Sequence, residues 1–233
     1  MHRVSLSSLS DDDRLVLANL IQEYVTPSVI SVHWDAALSG VHSDPVSFLS
    51  FHRSYIAGLE AFLEERGYQQ WVPLPAWNPS NPIPEQFNIP NTGDGRLRNL
   101  DPNVSFFPEF EGQNLLEFES EEELGAALIP VHNLVHRRVG GVMNSQRAAP
   151  RAPIFWPLHG FIDDIWWEWQ RVTVTVPYCI GLSLDEAANW LNCFGFLSTI
   201  KPNCYESGFV QVNNQHPKPY TKVPRGTSVR LYT

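Results

Sequence analysis

The chain has 233 residues, 43% of them apolar and 12% aromatic, which is enough for one large domain, or a medium and a small one, each with a buried core, and excludes disorder as the main state. Only 18% of residues are charged and no run of about eighteen apolar residues occurs, so no membrane partner is expected. Twenty-five Asp and Glu against 16 Lys and Arg give a net charge of -9, the wrong sign for a phosphate backbone, so no nucleic-acid partner is expected.

Met1 to Ser7 lacks the cationic and then apolar segment of a secretory signal. The three cysteines, Cys179, Cys193 and Cys204, are odd in number and confined to the last quarter, which rules out a complete disulfide framework. The sequence as encoded thus predicts a cytoplasmic, reducing location. One bridge with one free thiol, and export alongside a partner, stay open.

From Ser10 to Leu38 the pattern predicts helix, with Asp11 to Asp13 favouring its start and Pro27 kinking or splitting it. Ser43-Asp44-Pro45 is a second start signal, opening a helix that runs to Arg66 and stops at Gly67. Eight prolines between Trp71 and Phe110 forbid long regular elements and predict a long wrapping loop of the kind that lines ligand sites. A third helix is expected from Ser120 to Gly140-Gly141 and a fourth from Pro157 to Arg171. The β-branched run Val172 to Val176 marks a change of texture, and a domain boundary is placed there, giving 1–172 and 173–233. In the second part Ser183-Leu184-Asp185-Glu186 is a capping box opening a helix that ends at Gly195, and 197–199, 209–212 and 228–232 read as short strands. The fold class is therefore mainly α, a four-helix bundle with long Pro-rich loops, followed by a small α+β domain.

Six of the eight histidines fall in the four-helix part: His33, His42 and His52 in its first half, His132, His136 and His159 in its second. His132 and His136 stand four residues apart, on one helical face, where both can reach one metal ion. Imidazole-rich sites without thiolate suit copper, zinc or iron, and two groups of three histidines from two helix pairs point to two ions facing each other in a bundle core. No His-Glu-x-x-His occurs, which favours copper over a zinc hydrolase site.

Phe48-Leu49-Ser50-Phe51-His52-Arg53-Ser54-Tyr55 resembles the first copper motif of tyrosinases and other type-3 copper proteins. His132-Asn133-Leu134-Val135-His136 with Val139-Gly140-Gly141, and Ile154-Phe155-Trp156-Pro157-Leu158-His159 with Asp163, Trp166 and Trp169, resemble the second. The resemblance covers about residues 10 to 172. It implies two copper ions, one held by His33, His42 and His52 and the other by His132, His136 and His159, with dioxygen and a phenol as substrates. It also departs from the family: Phe51 stands for the usual Trp, Leu158 for a frequent second histidine, Ala152 for an Asp and Asp164 for an Arg.

The resemblance further implies that Asn133, with a preceding carboxylate, holds a water that accepts the phenol proton. Glu123 is the candidate carboxylate and Glu122 the second, against the alternative of a solvated acidic helix start. Arg137 either attracts acidic substrate tails or is a surface charge. Asp163 is expected to fix a nearby backbone group or histidine.

Val176-Pro177, Gly181 to Ala187, Leu191, Gly195, Gln215-His216-Pro217, Val223 to Thr227 and Val229 follow in order the pattern of a PASTA domain, a helix packed on a three-stranded sheet. That resemblance implies a peptidoglycan fragment as partner; in the tyrosinase family a C-terminal domain or a separate helper protein often covers the copper site. The expected activity is conversion of phenols and catechols to o-quinones. The alternatives are a catechol or o-aminophenol oxidase without monophenolase activity, an oxygen carrier, which so short a chain disfavours, and a wall-binding protein with a secondary copper site.

Overall fold

Side-chain caps and prolines set where the helices begin. In the computed structural model, which describes residues 2–88, 97–101, 106–201 and 210–233, Ser10 Oγ accepts from Asp13 N at 3.1 Å and opens α1 (Asp11–Tyr24). Thr26 accepts from Val29 N and opens α2 (Pro27–Leu38), which bends 76° away from α1. The predicted break at Pro27 is thus complete, because the proline lacks the amide that would continue α1 while its fixed φ suits the first turn of α2. Asp44 Oδ1 accepts from Ser47 N at 2.7 Å ahead of Pro45 and opens α3 (Pro45–Glu65). Helices α4 (Glu121–Val139) and α5 (Phe155–Val172) follow. Among the described residues no single helix is long and apolar enough to cross a membrane.

Contacts divide the chain into two compact units, residues 1–111 with 121–167, and residues 112–120 with 168–233. Residues 112–120 group with the second because Trp169 Nε1 donates to the Phe118 carbonyl at 3.0 Å and Lys222 N donates to the Glu119 carbonyl at 2.8 Å.

In the first unit α5 is the innermost helix: Phe155, Trp156, Leu158 and His159 have no exposed surface. Helices α3 and α4 approach closely at Gly125, where an added Cβ would stand 2.5 Å from the Pro45 carbonyl oxygen and 2.9 Å from Pro45 Cβ. This glycine sets the separation across which His52 on α3 and His132 on α4 face each other. Among its described residues the proline-rich segment forms 3-10 turns at Gln69–Trp71, Glu85–Phe87 and Pro108–Phe110 and an isolated bridge from Ala76 to Ser5, and it buries Trp77, Phe87 and Phe107. Its residues 89–96 and 102–105 lie outside the described residues.

The second unit packs α6 (Leu184–Cys193) through Ala187 and Leu191 into a core with Val176, Phe196, Val212, Val229 and Leu231. Both halves of the predicted capping box form between Ser183 and Glu186. The sheet has three strands in the order β2 (Leu197–Lys201), β5 (Ser228–Tyr232), β3 (Asn214–His216), with β2 parallel and β3 antiparallel to β5. A separate antiparallel pair joins β1 (Thr173–Thr175) to β4 (Lys222–Pro224). The strand expected over 209–212 does not form there. Phe209 lies outside the described residues and Gln211 makes only an isolated bridge with Ser183. The third strand is the polar Asn214–His216 instead, made possible because the buried Gln215 side chain donates to the Pro177 carbonyl and accepts from Cys179 N, both near 2.9 Å.

Replacing Gly125 by Ala should therefore destabilise the protein by about 1–2 kcal/mol, since overpacking against the Pro45 backbone outweighs the roughly 1 kcal/mol gain in helix propensity. A urea melt with a lowered midpoint and unchanged slope is the expected outcome.

Candidate metal centre

Four helices and one turn deliver the six imidazoles. His33 comes from α2, His52 from α3, His132 and His136 from successive turns of α4, and His159 from α5. His42 lies in the 3-10 turn Val41–Ser43, which is entered through Gly40 at φ 89°. The chain must double back here between α2 and α3, and the left-handed residue makes that turn possible. His159, His33, His52 and His132 are buried, at 0%, 2%, 2% and 4% exposure. His42 and His136 are half-buried at the edge of a cavity.

The rings form one cluster. His33 and His42 have ring centroids 4.9 Å apart, and His42 and His52 5.2 Å. His132 lies 4.4 Å from His136 and 5.0 Å from His159, while His52 stacks on His159 at 4.4 Å. The ring nitrogens of His33, His42 and His52 lie within 4.8 Å of one another, as do those of His52, His132 and His159. His52 therefore sits in both compact trios, and His136 stands outside the second although its ring touches that of His132.

Hydrogen bonds dictate which nitrogen of each ring is free. Nδ1 of His52 and His159 donates to the carbonyls of Phe48 and Phe155, each four residues earlier in the same helix and each at 2.7 Å. Nδ1 of His136 donates to the Met143 carbonyl at 2.7 Å and Nδ1 of His33 to the Gln146 carbonyl at 2.9 Å. A proton on Nδ1 leaves the Nε2 lone pair of a neutral imidazole as its only acceptor. The Nε2 atoms of His33, His52 and His136 are buried with no partner. His159 Nε2 accepts from His132 Nε2 at 3.0 Å, so His132 carries its proton on Nε2 and its Nδ1 is left buried and unpartnered, as is Nδ1 of His42.

Such orphaned buried acceptors are costly unless something binds them. A soft or borderline cation suits this set, which is all imidazole, with lone pairs converging and the far nitrogens tied back to carbonyls. The residues fit copper. His132 would have to exchange its tautomer to offer Nε2.

The cavity beside the cluster has a volume of about 250 Å³ and is lined by His33, His42, His132 and His136 together with Asn133, Arg137, Met143, Asn144, Gln146 and Ala149. A cavity of about 150 Å³ holds a benzene ring, so a substituted ring has room here. Of the residues singled out in the sequence, Asn133 and Arg137 are thus at the cavity. Glu123 is not among its lining residues; it sits exposed in the first turn of α4, nine residues before His132 and so about 13.5 Å up the helix axis. Glu122 is exposed in the same turn. Asp163 pairs with two arginines in place of the expected backbone group or histidine: it accepts from Arg3 at 2.7 Å and from Arg53, whose guanidinium lies 3.6 Å from the Trp166 ring centroid.

Two phenylalanines of the motifs, to which the sequence assigned no role, also shape the site. Phe48 and Phe155 wedge between imidazoles, Phe48 at 4.7 Å from His52 and 5.0 Å from His132, and Phe155 at 4.0 Å from His159 and 5.2 Å from His33. Their signal was in the sequence as a repeated Phe-x-x-x-His, at 48–52 and 155–159.

Burial holds all six imidazoles below their ordinary titration range. His33, pressed also by His42, is pushed down to about 3 and His136 to about 4. With folded values below the unfolded value near 6.5, the unfolded state takes up more protons as pH falls, so the stabilisation is complete above 6.5 and lost towards pH 4. The melting temperature of the metal-free protein should be level above pH 7 and fall steeply from pH 6.5 to 4. A melting temperature independent of pH over that interval would contradict the neutral, buried cluster.

Comparison with known proteins agrees with the chemistry of the donor set. Residues 96–172 match the family model of the common central domain of tyrosinase, and residues 174–233 that of the PASTA domain. The tyrosinase of Streptomyces antibioticus is 43% identical over 53 residues, 23% of this chain and 19% of that protein, and the tyrosinase of Streptomyces lincolnensis is 42% identical over 50 residues, 22% and 18%. Hemocyanin 2 of Megathura crenulata is 27% identical over 164 residues, 56% of this chain and 5% of that protein. The chain thus spans about a fifth of the length of the Streptomyces tyrosinases that it matches. Residues 96–172, with His132, His136 and His159, are thus similar to the tyrosinase central domain, and residues 174–233 to a PASTA domain.

Proposed function

We propose that the protein is a type-3 copper oxidase of phenols, with His33, His42 and His52 holding one copper ion and His132, His136 and His159 the other. The observation that carries this reading is the set of buried imidazoles whose Nδ1 atoms are tied to carbonyls while unpartnered Nε2 lone pairs converge. The bound copper pair would supply binding and activation of dioxygen. In the overall reaction two catechols each lose two protons and two electrons to become o-quinones, and one dioxygen is reduced to two waters.

The chain's own residues supply access, orientation and proton handling. The cavity admits one ring, whose hydroxyl end meets His33, His42, His132 and His136. The Asn133 amide, on the turn of α4 between the two histidines, is placed to hold a water that takes the phenol proton. Among the described residues, Arg137 is the one ionisable side chain besides the imidazoles that lines the cavity, which favours a substrate with an anionic substituent. Among the described residues no carboxylate lines the cavity beside Asn133, which favours a second reading in which catechols are oxidised well and monophenols poorly. For residues 174–233 we propose docking to peptidoglycan fragments, on the strength of the PASTA match.

Metal analysis after reconstitution should give two coppers per chain, and His52→Ala or His136→Ala should lower that number and abolish quinone formation from a catechol. Uptake of zinc in a single site, with no copper bound, would refute the assignment. Asn133→Ala should reduce monophenol hydroxylation about tenfold to a hundredfold while nearly sparing catechol oxidation, read as the ratio of the two rates. An unchanged ratio would remove Asn133 from proton handling.

A further inference from the structure

The four anchored imidazoles differ in what anchors them. His52 and His159 are held by carbonyls of their own helices, α3 and α5. His33 and His136 come from different helices, 103 residues apart in the chain, yet both are held by one short loop, through Met143 and Gln146. That loop is reached through two successive glycines. Gly140 has φ 70° and ψ -153°, a conformation almost confined to glycine, and Gly141 has φ 52°. A Cβ at Gly140 would stand 2.7 Å from Nη2 and 3.2 Å from Nε of Arg98, whose own amide donates to the Val139 carbonyl at 2.8 Å. Beyond the glycines the loop holds itself together: Ser145 N donates to the Val142 carbonyl at 3.1 Å, Ala149 N donates to the Ser145 carbonyl at 2.8 Å, and the Met143 side chain is buried.

We infer that residues 140–146 are a positioning strap that orients His33 and His136 as a pair, so that one ring from each half of the centre moves only when the strap moves. The inference rests on the copper reading for its functional meaning, but its geometry belongs to the metal-free protein. Both rings are tied to carbonyls three residues apart in one turn, Met143 and Gln146, so a displacement of that turn releases both. The same segment forms part of the cavity wall through Met143, Asn144 and Gln146. An occupant of the cavity therefore presses on the element that sets two ring planes, whereas the ring planes of His52 and His159 are fixed by helix backbone.

Hydrogen exchange of the imidazole Nδ1 protons, followed by NMR in the metal-free protein, tests this directly. In the wild type, His33 and His136 should share one protection factor, distinct from those of His52 and His159, because a single opening exposes both. Gly140→Ala should raise the His33 and His136 exchange rates together, by about tenfold for the backbone strain introduced, and leave the other two unchanged. Unequal protection of His33 and His136 in the wild type, or a variant in which one responds without the other or all four respond alike, would overturn the strap. The wild-type comparison decides the matter even if the variant fails to fold. Failure of copper binding would leave these rates untouched, so the two readings fail separately.

Discussion

Everything in the first unit depends on the hydrogen bond from a buried imidazole Nδ1–H to a backbone carbonyl. An imidazole taken out of water must stay neutral, and its remaining N–H must find an acceptor. At His52 and His159 the acceptor is the carbonyl one turn back, and at His136 and His33 it is a loop carbonyl. Each bond fixes a tautomer and a ring plane at once, and what it leaves over is a lone pair on the inner side. A cluster of lone pairs is a poor hydrophobic core and a good site for a cation. The cost of burying it is the physical trace of what the site is for.

The scaffold meets that cost with apolar packing and with one ion-pair network. Phe48 and Phe155 fill the space between rings, and α5 is buried along the turn that presents His159. Asp163, one turn beyond His159, takes Arg53, the neighbour of His52, and Arg3 from the N-terminal segment, whose guanidinium also reaches Glu60 and the Leu74 carbonyl. These pairs tie α3 to α5 at the level where His52 and His159 stack. Removing one partner would strand a buried charge at about 3–5 kcal/mol, so the network acts more as a lock on helix register than as a net source of stability.

Much of this was readable in the chain because it is local. Ser10, Asp44-Pro45 and the Ser183–Glu186 box cap helices wherever they occur, and Pro27 must interrupt one. The pair His132 and His136 follows from helical spacing alone. The failures are non-local. Asn214–His216 has no β-branched residue and becomes a strand only because Gln215 satisfies backbone groups at 177 and 179. Lys222–Pro224 is likewise a strand only through its partner β1. Glu123 lay on the right helix, but nine residues of rise take it away from the cavity. The bonds from Met143 and Gln146 carry no sequence signature, since any residue supplies a carbonyl; only Gly140-Gly141 marks the place where the chain must turn to bring them in.

The proposed function requires that six imidazoles from two halves of one chain make a site for two metal ions. Diffraction from crystals equilibrated with copper, measured on both sides of the copper absorption edge, addresses it without any assay of turnover. Two anomalous peaks are expected inside the histidine cluster, one bounded by His33, His42 and His52 and the other by His132, His136 and His159. A single peak, or copper bound only at surface histidines such as His2 or His216, would contradict that function.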